Sequence, residues 1–564
     1  MKYRWLLIFV LIFIFVLTPS CKKKDDQGGN EEKELTEDEK IAQLLIDEYG
    51  TDHARVFFNK MDGSEYEMVK VQLGLTCSMP ADPTRDGYTF EGWYVDKQFS
   101  KKYDFSTQVL QSIMLYAKWH EYSGKDYSFL LDEYVPDTAT ADFELPTEID
   151  DYPDIDLTWK TSDENTINYY GEVFQGRTDL EVEVTMVVHG TERISYSKKV
   201  KVPAIEFDHI DRYKNRLIFG YYSTWNYNGF TEDQLKIDVI NASFAYVNSD
   251  QTIDTRVMSA YFTKFLAARK HGVRVVLSIQ GASNNTTNFS IAASTEENRK
   301  RFAKNVGELV DKYHFDGVDI DWEYPGWSKP DSKHYEAENF TNLIKEINIE
   351  LKGRCSDYLV TAAIPGGPEG FKRYDLDQVS PYLDFIHLMT YDMEASSKTF
   401  HHTALYGTNG RTTGNQCSVD DSVELFNLKG VEYNKIVPGI AFYGKMTNPS
   451  SSTNGGLGSA AQDPSKSYQT ITYTNIYNTY LKKVDNKNIF YYFDKECQAP
   501  YLYIKDSNLF ITYDDETSIR AKCNYARAFD KEEVDRLGGV MIWELGEDRT
   551  GNLIKAVLSG MKRS

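Results

Sequence analysis

The chain has 564 residues, 63 Lys and Arg against 85 Asp and Glu, a formal net charge of −22, and 14% aromatic residues. That length accommodates several domains and a large buried core. The acidity argues against nucleic acid or an anionic membrane surface as partner, and suits a neutral polymer held by stacking on Tyr and Trp faces.

In chain order, Lys2 and Arg4 precede an apolar run from Trp5 to Leu17, followed by Thr18-Pro19-Ser20-Cys21. The run is shorter than a membrane-spanning helix requires and reads as an export signal over residues 1–21. Cys21 after a small residue resembles the lipidation cysteine of bacterial lipoproteins. The expectation is a secreted chain held by lipid at the bacterial outer membrane, on either its periplasmic or its outer face. Cys77, Cys355, Cys417, Cys497 and Cys523 are widely spaced and without a CxxC pair, so they indicate neither a disulfide framework nor a zinc site.

Residues 22–50 begin with a tether of Lys, Asp, Glu, Gly and Asn that cannot bury enough surface to fold. A short helix follows, with Thr36 and Glu39 as a capping box and Ile41, Leu44 and Leu45 at helical spacing. Over residues 51–120 the pattern turns to short strands. Pro83 to Tyr94, with Tyr103-Asp104-Phe105 and Leu115-Tyr116-Ala117-Lys118-Trp119, resembles the small β-grasp repeat of bacterial surface proteins, its aromatics expected in the core. Residues 121–205 read as a second β module. Leu180 to Val188 alternates as a half-buried strand does, and Trp159 to Asn165 resembles bacterial immunoglobulin-like spacer domains. Both modules are expected to be spacers.

From residue 206 to 564, apolar strand-like runs alternate with helical patterns, which implies parallel strands joined by crossover helices. The runs are Leu217–Tyr222, Val239–Tyr246, Val273–Ile279, Gly317–Trp322, Leu359–Ile364, Phe385–Thr390, Ile436–Phe442 and Gly539–Trp543. They predict an α/β fold, a (β/α)8 TIM barrel with its site at the C-terminal ends of the strands. An α+β insertion over residues 446–537, between the seventh and eighth strands, should wall the cleft.

The fourth of these runs carries the chemistry. Asp319, Asp321 and Glu323 lie two residues apart and share one face of a strand, while Val318, Ile320 and Trp322 share the other. Carboxylates this close cannot all ionise cheaply in a desolvated site, so one stays neutral near neutral pH, as a general acid must. Gly317 falls on the acidic face and leaves space below Asp319. A calcium loop is the other reading of so acidic a run, but the spacing lacks the Asx/Gly pattern such a loop needs.

Asp316-Gly317-x-Asp319-x-Asp321-x-Glu323 is similar to the signature of family 18 glycoside hydrolases, the chitinases and their relatives, and the likeness runs from about Asp211 to Met561. It implies retaining, substrate-assisted hydrolysis of β-1,4-linked N-acetylglucosamine, a mechanism outside the two-carboxylate scheme. By this resemblance Glu323 protonates the leaving oxygen, Asp321 orients the 2-acetamido N–H, Asp319 shares a proton with Asp321, and Tyr391 hydrogen-bonds the acetamido carbonyl. Tyr221, Phe244, Met389, Asp392, Tyr443 and Trp543 fall at positions expected to bind substrate, with Trp543 as the floor. The implied partner is an N-acetylglucosamine-containing polysaccharide or oligosaccharide, with no nucleic acid, no cofactor and no metal; a monomer is expected. His401 and His402 lie in a loop, outside any HExxH pattern.

The chain departs from the family in three places. Gln280 stands where the third-strand motif has glycine, Ala282 where many chitinases have tryptophan, and Lys445 where arginine is common. These departures weigh against processive action on crystalline chitin. Two alternatives stay open: an endo-β-N-acetylglucosaminidase acting on N-glycans, and a non-catalytic glycan-binding lipoprotein.

Overall fold

A computed structural model describes residues 53–563, apart from 122–123, 191, 213, 215, 282–284, 328–332, 368–371, 394–396, 408–416, 467, 485–486 and 529–535. The export segment with Cys21, the tether and its helix, and Ala282 lie outside the described residues. No helix among the described residues is long and apolar enough to cross a membrane. The chain divides into two compact units, with the boundary after Ser123.

In the first unit, His53–Asn59, Glu67–Gln72, Tyr88–Tyr94 and Ile113–Glu121 make one mixed sheet in the order second, first, fourth, third, the central pair being parallel. Its aromatics are core, as expected. Phe58 and Trp93 are buried edge to face with centroids 4.9 Å apart, and Phe90, Phe105 and Trp119 pack against them.

The second unit holds both the second module and the barrel. The module's Asp156–Thr161, Leu180–His189 and Arg193–Val202 form an antiparallel three-stranded sheet. The module expected as a spacer packs against the barrel. Phe174 joins the apolar layer of the barrel, and Thr166 Oγ1 meets His314 Nε2 at 2.8 Å. Arg269 donates to both oxygens of buried Asp316 at 3.0 and 3.1 Å and also to the Gln175 carbonyl of the module. Sequence pattern marks a module's strands but not the polar groups of distant segments that close over them.

Each predicted barrel strand is present within a residue or two of its expected bounds, from Leu217–Ser223 to Gly539–Trp543. All pair in parallel, and the first strand also pairs with the second, which closes the ring. Alternation sorts the side chains. Leu217, Phe219 and Tyr221 face the interior with Phe385 and Met541, while Ile218 and Tyr222 face the helical layer. On the fourth strand, Gly317–Trp322, Val318, Ile320 and Trp322 lie in that outer layer as expected. Gly317 has a different reason from the one its position suggested: at φ 147°, a Cβ there would stand 2.1 Å from the Leu359 carbonyl oxygen of the next strand.

The insertion is a five-stranded antiparallel sheet running from Tyr443–Thr447 to Leu509–Tyr513, tighter than the 446–537 expected. Helix Glu516–Ala528 belongs to the barrel layer, since Ile519, Cys523 and Ala526 on one face are buried in the same apolar cluster as the terminal helix Asn552–Gly560.

Candidate active site

Barrel strands three, four and five run in register, with Ser278 opposite Asp319 and Asp319 opposite Thr361. Inward-facing side chains at one level therefore meet. Asp319, fully buried, accepts from Tyr221 Oη at 2.8 Å, Ser278 Oγ at 2.7 Å and Thr361 Oγ1 at 2.7 Å. His387 Nδ1 stands 3.4 Å from its other flank and 2.9 Å from Tyr221 Oη. Burial alone would raise the Asp319 carboxyl, but the contacts from His387, Ser278 and Thr361 outweigh it and hold the group below its ordinary range.

Asp321 sits one level nearer the mouth and behaves oppositely. Burial first, then the charges of Glu323 and Asp319, push it well above the usual carboxylate range. Glu323 is raised too, chiefly by burial, and shares a side-chain hydrogen bond with Asp321. Both oxygens of Asp319 are taken by donors, and the two carboxyls raised above their ordinary range are Asp321 and Glu323.

The pair opens into a cleft of about 360 Å³ lined by Tyr221, Met389, Tyr391, Asp392, Tyr443 and Trp543 among others. Tyr391 is at the end of the sixth strand, its hydroxyl 3.9 Å from Met541 Sδ. Asp392 takes φ 54°, uncommon for a residue with a side chain, and is held there by Tyr443 Oη at 2.6 Å and Lys445 Nζ at 3.0 Å. Its side chain is half exposed; lining atoms still desolvate it enough to raise the carboxyl, but His402 and Lys445 outweigh this and keep it down at about 2. Lys445 thus engages Asp392 as a point charge.

Asp319 lies below the cleft, and Phe244, predicted to bind substrate, does not line it either. It is fully buried behind Trp543, the rings stacked at 5.6 Å and 20°, with Tyr221 5.4 Å from the same indole. A register shift between the second and third strands, which skips Phe244 between Ser243 and Ala245, turns it into the barrel interior against the alternation of Ile240 and Ala242, and there it backs the floor without forming it.

Several groups escaped the sequence reading. Thr361 and His387 were legible only as polar residues in the apolar runs Leu359–Pro365 and Phe385–Met389. Tyr324, Trp327 and Arg373 line the cleft from the loops after strands four and five, the Arg373 guanidinium 5.5 Å from the Trp327 ring centre. Among the described residues, one grouping has metal-ligand character: His401, Asp494 and Cys497, with ligand atoms within 4.8 Å of one another. His401 Nε2 lies 3.1 Å from Asp494 Oδ2, a contact that holds the Asp494 carboxyl far below its ordinary range and ties the loop to the insertion.

Residues 217–548 match the family model described as Glycosyl hydrolases family 18, and residues 55–118 that described as the Listeria-Bacteroides repeat domain. Chitinase B of Serratia marcescens is 29% identical over 379 residues, 56% of this chain and 74% of that protein. Endochitinase 1 of Metarhizium robertsii is 28% identical over 297 residues, 51% of this chain and 64% of that protein. A solved family 18 N-acetylglucosaminidase from Paenibacillus barengoltzii superposes with a TM-score of 0.54 at 34% identity, over 62% of this chain and all of the other.

Proposed function

The chain belongs to glycosyl hydrolases family 18 and is a glycoside hydrolase, and from that premise we propose that it cleaves β-1,4-linked N-acetylglucosamine with retention, using the substrate's own acetamide as nucleophile. One observation carries the reading: Asp321 and Glu323 leave the end of one strand two residues apart and open into one cleft with Tyr391 and Trp543. The two-carboxylate schemes flank the anomeric carbon with their acids, whereas this pair approaches from one strand, so it supplies one acid and leaves the nucleophile to the substrate.

In this reading, a sugar seated on Trp543 presents its glycosidic oxygen to Glu323, which gives up its proton as the bond to the anomeric carbon breaks. The acetamido carbonyl oxygen attacks that carbon from the opposite face, steered by the Tyr391 hydroxyl. Asp321 accepts the acetamide N–H and offsets the positive charge of the oxazolinium ring, while Asp319, held ionised by its donors, adds negative potential behind it. Glu323 then takes a proton from water, which opens the ring with net retention.

The chain from Lys22 onward, incubated with chitohexaose, should release shorter oligomers whose first-formed anomer is β by proton NMR, and should leave cellohexaose intact. Equal turnover of cellohexaose, which has no acetamide, would end this reading. The neighbour described as an N-acetylglucosaminidase favours release of single sugars as a second possibility; monomer against dimer product in the same digest decides between them, and a high-mannose glycoprotein tests action on N-glycans. Export and lipid attachment at Cys21 belong to the proposal as well, on the strength of the basic start, apolar run and cysteine. Radiolabelled palmitate should enter the wild-type chain and not Cys21→Ala.

A further inference from the structure

Gln280, one of the departures from the family pattern, reaches the acid machinery. Strands three and four pair with Ser278 opposite Asp319 and Gln280 opposite Asp321. Each side chain of strand three donates to the acid across from it: Ser278 Oγ to Asp319 Oδ2 at 2.7 Å, and Gln280 Nε2 to Asp321 Oδ2 at 3.2 Å. The opposite flank differs between the two acids. Thr361 of strand five donates to Asp319 Oδ1, whereas Ala363, two residues on and in the cleft wall, has no side-chain donor. Asp321 Oδ1 is buried and takes no hydrogen bond from a donor group among the described residues, the carboxyl's other contact being the one it shares with Glu323.

We propose that Gln280 is a positioning residue: its amide fixes the Asp321 carboxyl so that Oδ1 is presented to the acetamido N–H of the substrate. This rests on the reading of the site as an N-acetylglucosamine hydrolase. Glycine at this position has no side chain to restrain Asp321. Gln280 removes the rotational freedom of that carboxyl before substrate arrives, so less ordering remains to be done in the transition state.

Donation by a neutral amide also favours the ionised form of Asp321, against the burial and the Glu323 and Asp319 charges that raise it. The other titratable neighbours do not compete. Tyr221, Tyr324, Tyr374 and Tyr391 face Asp321 with hydroxyls raised by burial, and Asp392, which faces Glu323, stays ionised at about 2. Loss of the donor therefore moves the pH range in which the Asp321–Glu323 pair holds one proton upward.

Gln280→Met keeps length and bulk and removes the donor; Gln280→Glu keeps shape and puts a carboxylate in its place. With the full chain acting on chitohexaose, Gln280→Met should lower kcat by about tenfold to a hundredfold with little change in KM. Both limbs of its kcat profile should move to higher pH, and Gln280→Glu should move them further. Thermal unfolding close to wild type excludes misfolding, and if Gln280→Met does not fold, the closer-shaped Gln280→Glu carries the same pH test. An active wild type whose Gln280→Met variant keeps kcat and limb positions would overturn the proposal, as would a fall in kcat with the limbs unmoved, which marks Gln280 as packing. A wild type that cleaves no N-acetylglucosamine oligomer would instead remove the functional reading on which the proposal stands.

Discussion

Glu323 and Asp321 are neighbours on one strand that must divide a proton between them, and the residue-scale predictions follow from that. Glu323→Gln retains shape and cannot deliver a proton, so kcat/KM on chitohexaose should fall by about 10²- to 10⁴-fold. Both carboxyls are raised by burial, Asp321 also by the Glu323 charge. The rate should thus be bell-shaped in pH. Activity falls at alkaline pH as the pair loses its last proton, and this limb should lie above the ordinary carboxylate range. Glu547 is raised too, pushed up to about 8 by burial and then by Glu544. Measuring the profile of Glu547→Gln separates the two: the alkaline limb should stay in place if it belongs to Asp321 and Glu323.

Among the elements, the strands themselves set the site, and the loops after them decorate it. Phe244 of the second strand shows how an interior residue acts at a distance, because it touches Trp543 and not the cleft. Phe244→Ala should cost about 3 to 5 kcal/mol of stability, the range for emptying a buried aromatic site, and should raise KM as the indole loses its backing. Denaturant unfolding and steady-state kinetics on the same preparation check both. The strand reading was legible because a continuous apolar run of strand length is a local property; the insertion's end was not, because helix Glu516–Ala528 is polar enough on one side to pass for either neighbour until its apolar side is seen packed on the barrel.

At the scale of the whole molecule, the second module and the barrel share a buried polar seam. Arg269→Met would leave Asp316, 1% exposed, short of its bidentate partner. A loss of roughly 3 to 5 kcal/mol is expected, read as a lowered unfolding midpoint. His314 lies in the same seam, and burial pushes it down to about 4 from an ordinary 6.5. Above pH 6.5 both the folded and the unfolded forms are neutral there. Between 6.5 and 4 the unfolded chain takes up a proton that the folded one refuses, so stability falls with pH by up to roughly 3 kcal/mol. Unfolding at pH 7 and pH 4.5 should show a smaller difference in His314→Gln than in wild type.

The sequence by itself determined the barrel, its eight strands in order, and the fourth strand that turns Asp319, Asp321 and Glu323 inward, since which way a strand's side chains point depends only on neighbours along the chain. Only the tertiary structure decided which carboxyls are raised and which is held down. Ser278 and Thr361 reach Asp319 from 41 and 42 residues away, and Gln280 reaches Asp321 from 41. Those distances close only when strands pair in register. The same physics hid the docked module and the retreat of Phe244, because hydrogen bonding and burial between distant segments leave no periodic trace in either segment alone.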